Sequence, residues 1–129
     1  MQSRVTHFFV AVCFSIILAG CGGGSQHNGG QFQHDNAAKL FLDAMKIRGT
    51  DQAGAMELLN QSIDARPSHN AYFHRGWLYA LQSQDDEAKA DVAAGLALEP
   101  EEKDLKWLDA ELKKPADQRK LDMPPVKVK

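Results

Sequence analysis

Histidine and cysteine are the residue types best suited to catalysis or metal binding, and this 129-residue chain has five histidines and two cysteines. His69 and His74 are five positions apart, which places them on different sides of a helix. His27 and His34 stand in a polar, glycine-rich stretch with neither a carboxylate pair nor a thiolate pair beside them. Two histidines alone make a poor zinc site, so a solvated tether is the expected interpretation of this stretch.

Three consecutive acids, Asp85, Asp86 and Glu87, are the candidates for acid–base chemistry. They open a predicted helix, and their charges fit the positive end of the helix dipole better than a catalytic role. The chain contains no serine nucleophile elbow, glycine-rich phosphate loop or His-Glu-x-x-His motif. We therefore expect no enzymatic activity, no metal site and no cofactor other than a covalent lipid. The net charge of −2 argues against nucleic-acid binding, which needs a basic surplus.

Cys21 follows directly after an apolar segment, which gives this cysteine an assignable chemistry. Residues 1–20 begin with a short polar stretch that carries Arg4, and residues 8–19 are apolar except for Ser15. In a helix the apolar run spans about 18 Å, too short for a hydrocarbon core of about 30 Å. It is typical of the apolar region of a secretory signal peptide, which is removed from the mature protein.

The end of this segment, Leu18-Ala19-Gly20-Cys21, resembles the lipobox of bacterial lipoproteins. In that family the cysteine receives diacylglycerol on its sulfur, the chain is cut before it, and the new amino group is acylated. The resemblance implies a lipid anchor on Cys21 and the loss of Cys13 with the signal peptide. Gly22, in place of an aspartate, implies the outer membrane and its periplasmic face rather than the inner membrane. An ordinary secretory signal cleaved after Gly20 is the alternative.

Flexible segments are predicted on both sides of the central region. Residues 21–35 are rich in Gly, Ser, Gln and Asn, a composition typical of a flexible coil. Residues 116–129 contain Pro124-Pro125 and show no apolar periodicity, which predicts a disordered or loosely docked tail. A solvated end is the expected state of the basic residues of the tail, with a contact to anionic peptidoglycan or lipid as the alternative.

The central region predicts an all-α fold. Apolar residues recur at helical spacing between residues 36 and 115, with turn signals about every fifteen residues. No useful length of chain alternates with a period of two, so no strand is expected. The five apolar stripes lie at residues 40–45, 55–63, 72–81, 88–96 and 105–112.

Two of these stripes repeat one another at an offset of 33 residues. Ala55 aligns with Ala88, and Pro67 aligns with Pro100, with Leu59 on the apolar face of the first copy. A helix–turn–helix unit that recurs at about 34 residues resembles the tetratricopeptide family. Compared with the second copy, the first has an extra residue in the turn at 49–54 and one residue fewer at 67–71. The first helix of that copy carries Ala38, Phe41, Leu42 and Met45 instead of the family's Gly and Tyr pattern.

The second copy carries the resemblance most fully, as Tyr72-x₂-Arg75-Gly76-x₂-Tyr79 against the family pattern W-x₂-L-G-x₂-Y. In the family, the residues that match Gly76 and Ala88 face each other where two helices cross. The resemblance implies that Tyr72 and Tyr79 fill the space beside this crossing and that Pro100 ends the following helix. Arg75, where the family has leucine, is the least expected departure.

The resemblance implies a solenoid of about two repeats. Residues 36–68 form a degenerate repeat, residues 69–100 a second repeat, and residues 101–115 a capping helix whose polar face covers the open end. An unrelated four- or five-helix bundle is the alternative. Trp107 is expected at the core edge, with an exposed partner contact as the second interpretation. Because two repeats are close to the lower limit of stability, self-association or docking to a larger partner would help.

The sequence Arg75-Gly76-x-x-Tyr79 followed by Ala88-x-x-Asp91 is similar to the repeats of small NlpI-type lipoproteins of Gram-negative bacteria. Those proteins act as adaptors that link envelope proteases and peptidoglycan hydrolases. The resemblance implies an adaptor that binds a protein or peptide on the concave face of its helices. A pilotin-like chaperone for an outer-membrane secretin or pilus system is the alternative. The candidate partner-binding residues are Lys39, Lys46, His74, Arg75 and Gln82.

Overall fold

A computed structural model of the chain describes residues 29–123, with side chains described from residue 34 onward. This range contains five α-helices and no strand, which confirms the predicted all-α class. The predicted signal peptide, Cys21 and residues 124–129 lie outside the described residues. Within the described range, no helix combines the length and the apolar character needed to cross a membrane. The helices are α1 (Gly29–Ile47), α2 (Gln52–Ala65), α3 (His69–Leu81), α4 (Asp85–Leu98) and α5 (Lys103–Leu112).

The helix ends lie close to the predicted turn signals because side chains there satisfy free backbone groups. The Asp51 carboxylate accepts a hydrogen bond from the Gly54 amide at the start of α2, and the Ser68 hydroxyl accepts one from Ala71 at the start of α3. Helix α3 ends before Ser83, which has a positive φ of 59°. A short polar residue at such a position stops a right-handed helix.

The first helix begins earlier than predicted. The sequence predicts a flexible tether as far as residue 35, but α1 already starts at Gly29. Adding a residue to an existing helix costs less than starting one, so a polar stretch can extend a helix that is held by packing further along. Ala37 supplies such packing because it is buried, and its carbonyl accepts a hydrogen bond from Ser62 Oγ at 2.9 Å.

The helices pack mainly with their neighbours in the chain. Helix α1 packs on α2, α3 packs on α4, and α5 covers α4 and α3. Helices α2 and α4 both have 14 residues and start 33 positions apart. The turn at 48–51 is one residue longer than the turn at 82–84, and the turn at 66–68 is one residue shorter than that at 99–102. Both differences between the copies match the predicted ones.

Two hydrophobic clusters form the core, and α3 contributes to both of them. Leu78 is fully buried in the first cluster, which α1, α2 and α3 form together. Ala44 of α1 is fully buried, and Phe41 and Met45 pack against the same cluster, whereas Leu42 is 57% exposed. Helix α1 therefore turns the apolar stripe predicted within residues 40–45 towards the core. The first cluster contains Ala44, Ala55, Leu59, Ile63, Ala71 and Leu78, and the second contains Phe73, Ala80, Ala88, Val92, Leu105, Leu108 and Leu112.

Gly76 lies where α3 and α4 are in close contact. A Cβ atom at this position would lie 3.1 Å from the Asp91 Cβ and 3.4 Å from the Ala88 carbonyl oxygen. The first distance is shorter than an ordinary van der Waals contact, and one of the two neighbours is backbone. The predicted pairing of Gly76 with Ala88 at a helix crossing is thus present in the structure.

We expect Gly76→Leu to force α3 and α4 apart. Overpacking of this kind costs about 3 kcal/mol, which lowers the melting temperature of a domain this small by more than about 10 °C. Thermal unfolding followed by circular dichroism measures the change. Gly49→Leu is the matched control, because a Cβ there meets nothing within 4 Å. Equal melting temperatures for the two variants would contradict the close crossing.

Candidate partner-binding face

Arg75 is held inside the helix array rather than presented to a partner. Its Nε and Nη2 atoms donate to the two carboxylate oxygens of Asp91 on α4, at 2.9 and 2.6 Å. Its Nη1 atom donates to Asn60 Oδ1 on α2 at 2.8 Å. The Arg75 side chain is 19% exposed and that of Asp91 is 5% exposed. One guanidinium therefore joins three helices.

The rings of Tyr72 and Tyr79 complete the surroundings of Arg75. The centres of the two rings lie 5.7 and 6.0 Å from the guanidinium carbon, within range of a cation–π attraction. The hydrogen bonds that Arg75 donates to Asp91, ahead of any other effect, raise the pKa of Arg75 above its ordinary value. An arginine is accommodated at position 75 because the buried Asp91, 16 residues later on α4, balances its charge.

His74 lies on the other side of α3, against α1. Arg48 Nη1 is 3.1 Å from the His74 Nδ1, and the rings of Phe41 and Phe73 lie 5.5 and 5.0 Å away. Burial, followed by the charge of Arg48, lowers the pKa of His74 to about 4. A neutral imidazole at pH 7 accepts the hydrogen bond from Arg48, so His74 acts as a packed, uncharged acceptor.

The other three predicted partner residues are exposed. Lys39 and Lys46 flank Asp43 on the outer surface of α1, and Lys46 Nζ lies 2.6 Å from the Asp43 carboxylate. The hydrogen bond from Lys46 lowers the pKa of Asp43. Gln82 is the exposed residue that follows α3.

The structure does not assemble the five predicted residues into one site. Arg75 points towards α2 and α4, whereas His74 contacts α1. Arg75 was a candidate partner-binding residue, but Asp91 and Asn60 accept the hydrogen bonds of its guanidinium inside the helix array. Lys39, Lys46 and Gln82 remain available on the surface.

The C-terminal segment, defined as residues 119–123, lies against α5, α3 and the end of α1. The Arg119 guanidinium donates to both carboxylate oxygens of Asp85, the first residue of α4, at 2.6 and 2.7 Å, and also reaches the Leu112 carbonyl at the end of α5. The Trp77 Nε1 atom on α3 donates to the Leu121 carbonyl at 2.8 Å. Met123 Sδ lies 2.7 Å from Arg48 Nη1, just after α1. The segment thus crosses from α5 over α3 to the end of α1.

Of the two states predicted for the tail, disordered or loosely docked, residues 116–123 adopt the docked one. Residues Ala116–Gln118 form a 3-10 turn, and the apolar side chains of Leu121 and Met123 pack against the second core cluster. Arg119, Leu121 and Met123 face inward at every second position, while Lys120 and Asp122 are exposed. That alternation was the signal in the sequence, but three positions are too few to recognise without the structure.

Aromatic side chains line the same face. Trp107 on α5 lies 6.4 Å from Phe73, ring centre to ring centre, in an edge-on arrangement. Trp107 is half-buried, which confirms its expected place at the core edge. Trp77 is also half-buried, and the Arg48 guanidinium lies 5.7 Å from the centre of its ring. Tryptophan and arginine are the residue types most often found at the energetic centres of protein interfaces.

A second concavity lies near the first turn of α3, away from the C-terminal segment. It has a volume of about 400 Å³ and is lined by α1, the end of α2 and the exposed Leu98. Arg66 contacts the ring of His34 at its rim. The part of the chain that the structure describes holds no group of three side chains arranged to bind a metal ion.

Comparisons with known proteins add no relative. No family model, curated protein or solved structure matches this chain.

We expect the Arg75–Asp91 pair to be sensitive to the loss of one member. Asp91→Ala leaves a guanidinium buried without its counter-charge, which costs about 3 kcal/mol. Replacing both members by apolar residues, in the double variant Arg75→Met and Asp91→Leu, is expected to recover most of that loss. Urea denaturation measures the free energies of unfolding.

The control for this pair is Glu101→Ala, which removes an exposed ion pair with Lys106. Such surface pairs contribute little to stability, so this variant should unfold like the unaltered chain. An Asp91→Ala variant as stable as Glu101→Ala would contradict the buried pair.

Proposed function

We propose that this chain is a lipid-anchored adaptor of the bacterial envelope, built from two tetratricopeptide-like repeats and a capping helix. The adaptor binds a protein or peptide partner on the face formed by α1, α3 and α5. Its lipid is carried by Cys21, and the folded domain faces the periplasm from the outer membrane.

The helix arrangement supports the repeat assignment. Helices α2 and α4 have the same length and a 33-residue offset, and the buried Ala55 and Ala88 stand at equivalent positions in them. Gly76 permits the close crossing that this type of repeat requires. Helix α5 packs on the last pair and presents exposed charges on its other side, as a capping helix does.

The observation that carries the binding proposal is the position of the C-terminal segment. A peptide segment without regular secondary structure lies across α5, α3 and the end of α1, held by Trp77 and Asp85. In solenoids of paired helices, the first helices of successive pairs form the concave recognition surface. This face therefore accommodates a bound peptide, supplied here by the chain itself.

The lipobox residues and the apolar segment before them support the anchor. Cys21 precedes the first residue of α1 by only a short polar stretch, so the lipid would keep the domain close to the membrane surface. Each buried methylene group contributes about 0.8 kcal/mol to membrane binding, and two or three acyl chains on one cysteine make the attachment stable.

We expect Cys21→Ala to abolish labelling by radioactive palmitate and to move the chain from the membrane to the soluble fraction. The physical reason is the loss of the thiol that accepts the diacylglycerol. Cys13→Ala is the matched control, since it removes the other cysteine of the chain and should leave labelling intact. Membrane association that persists in Cys21→Ala would contradict the anchor.

The partner-binding face is tested with a photoreactive amino acid placed in living cells. We expect Leu81, which is exposed and lies one helical turn after Trp77 on the same side of α3, to give a discrete crosslinked product that mass spectrometry identifies. Gln61, exposed on α2 outside this face, is the matched control and should give no such product. Equal products from both positions, or a product from Gln61 alone, would contradict binding on the α1, α3 and α5 face.

A further inference from the structure

The contacts of the C-terminal segment define the kind of peptide that this face accepts. We propose that the groove between α3 and α5 recognises a non-helical segment of the pattern Arg-x-apolar-x-apolar, of which residues 119–123 are the resident copy. A partner protein binds by presenting the same pattern in place of the chain's own segment. This last step depends on the proposed adaptor function, whereas the recognition pattern depends on the groove alone.

The groove holds the main chain of the segment from two sides. Glu111 Oε2 on α5 accepts a hydrogen bond from the backbone N–H of Lys120 at 2.8 Å. Trp77 Nε1 on α3 donates to the carbonyl of the next residue, Leu121, at 2.8 Å. Neither bond involves a side chain of the segment. Any chain in the same conformation offers these two groups, so the clamp is not restricted to this sequence.

Charge selects the first position of the pattern. The Arg119 side chain is 8% exposed, and besides Asp85 it donates to the carbonyl oxygens of Lys114 and Leu112, at 3.0 and 3.4 Å. A planar fork of N–H donors satisfies a carboxylate and backbone carbonyls together, which the ammonium group of lysine does less well. The hydrogen bonds between Arg119 and Asp85 lower the pKa of Asp85, so the acid stays charged.

The third and fifth positions select apolar side chains. Leu121 and Met123 pack on the cluster that contains Phe73, Leu105 and Leu108, and the intervening Asp122 is exposed. Arg119, Leu121 and Met123 are the three anchors of the segment. The exposed positions between them, occupied here by Lys120 and Asp122, tolerate any polar residue. The pattern therefore has three specified positions and two free ones.

The segment is replaceable because the core does not depend on it. Leu105 and Leu108 are fully buried beside Gly95 of α4 and Gly76 of α3, while Leu121 and Met123 are only half-buried. A segment tethered by a short turn has an effective concentration in the millimolar range. A modest affinity is then enough to keep it in place, and a partner with additional contacts displaces it.

The test uses the full mature chain with Arg119, Leu121 and Met123 all replaced by alanine, which removes the three anchors. The probe is a synthetic peptide of residues 116–123 with blocked ends, titrated by calorimetry. We expect it to bind this variant with a Kd below about 1 mM, in keeping with the effective concentration of the tethered segment. The unaltered chain should bind the peptide at least tenfold more weakly, because its own segment competes.

Two matched changes test the contacts. A peptide methylated on the backbone nitrogen that corresponds to Lys120 lacks the N–H that Glu111 accepts, and we expect at least tenfold weaker binding. On the protein side, Trp77→Phe keeps an aromatic ring but removes the indole donor, and it should weaken binding of the unmodified peptide similarly. A peptide with the same composition in scrambled order should not bind.

Folding of the triple variant is checked by its helical circular dichroism and melting temperature, and Arg119→Ala alone serves as a milder form. If the peptide binds neither variant, or binds as well when methylated, the recognition pattern is overturned. If the peptide fails while Leu81 still yields its specific crosslinked product, only the pattern is lost and the adaptor function stands. If the peptide binds but no crosslinked product forms at Leu81, the pattern is supported and the adaptor function is contradicted.

Discussion

The bidentate contact between Arg75 and Asp91 is the interaction on which the arrangement of the helices depends. A mostly buried guanidinium must have its donors satisfied, and here the acceptors come from α4 and α2. This requirement fixes the rotation of α3 about its axis. Trp77 follows Arg75 by two residues, about 200° around the helix, and so it is directed to the opposite side. The contacts that hold one side of α3 thereby direct Trp77 towards the C-terminal segment on the other side.

The two sides of the helix array consequently differ in how completely their side chains are packed. The side of α3 that faces α2 and α4 is closed by the ion pair, the two tyrosine rings and the contact at Gly76. The other side carries aromatic and charged groups that are only half-buried, among them Trp77, Trp107 and Arg48. Half-buried side chains of these types contribute most to the binding energy when another chain covers them. The C-terminal segment provides part of that cover within the molecule.

Local patterns in the sequence predicted the helices well, since each pattern reports on its own helix. Asp51 and Ser68, which cap α2 and α3, lie in the predicted turns at 49–54 and 67–71. The 33-residue offset between Ala55 and Ala88 likewise predicted two equivalent positions, and both are buried. Contacts between distant residues could not be predicted in this way. The bond from Trp77 to Leu121 joins residues 44 positions apart, and that between Arg119 and Asp85 joins residues 34 apart. Periodicity indicates which face of a helix is apolar, but not which distant segment covers it.

The position of the C-terminal segment is the central claim, and hydrogen exchange of the tryptophan indoles tests it most directly. The chain has two tryptophans, so an amide and indole NMR spectrum contains two indole N–H signals. The bond from Trp77 Nε1 to the Leu121 carbonyl predicts slow exchange at Trp77, and the Arg119, Leu121 and Met123 triple alanine variant should exchange much faster there. The Trp107 signal should be nearly the same in both proteins. A Trp77 indole that exchanges rapidly in the unaltered chain, at the same rate as in the variant, would contradict the account.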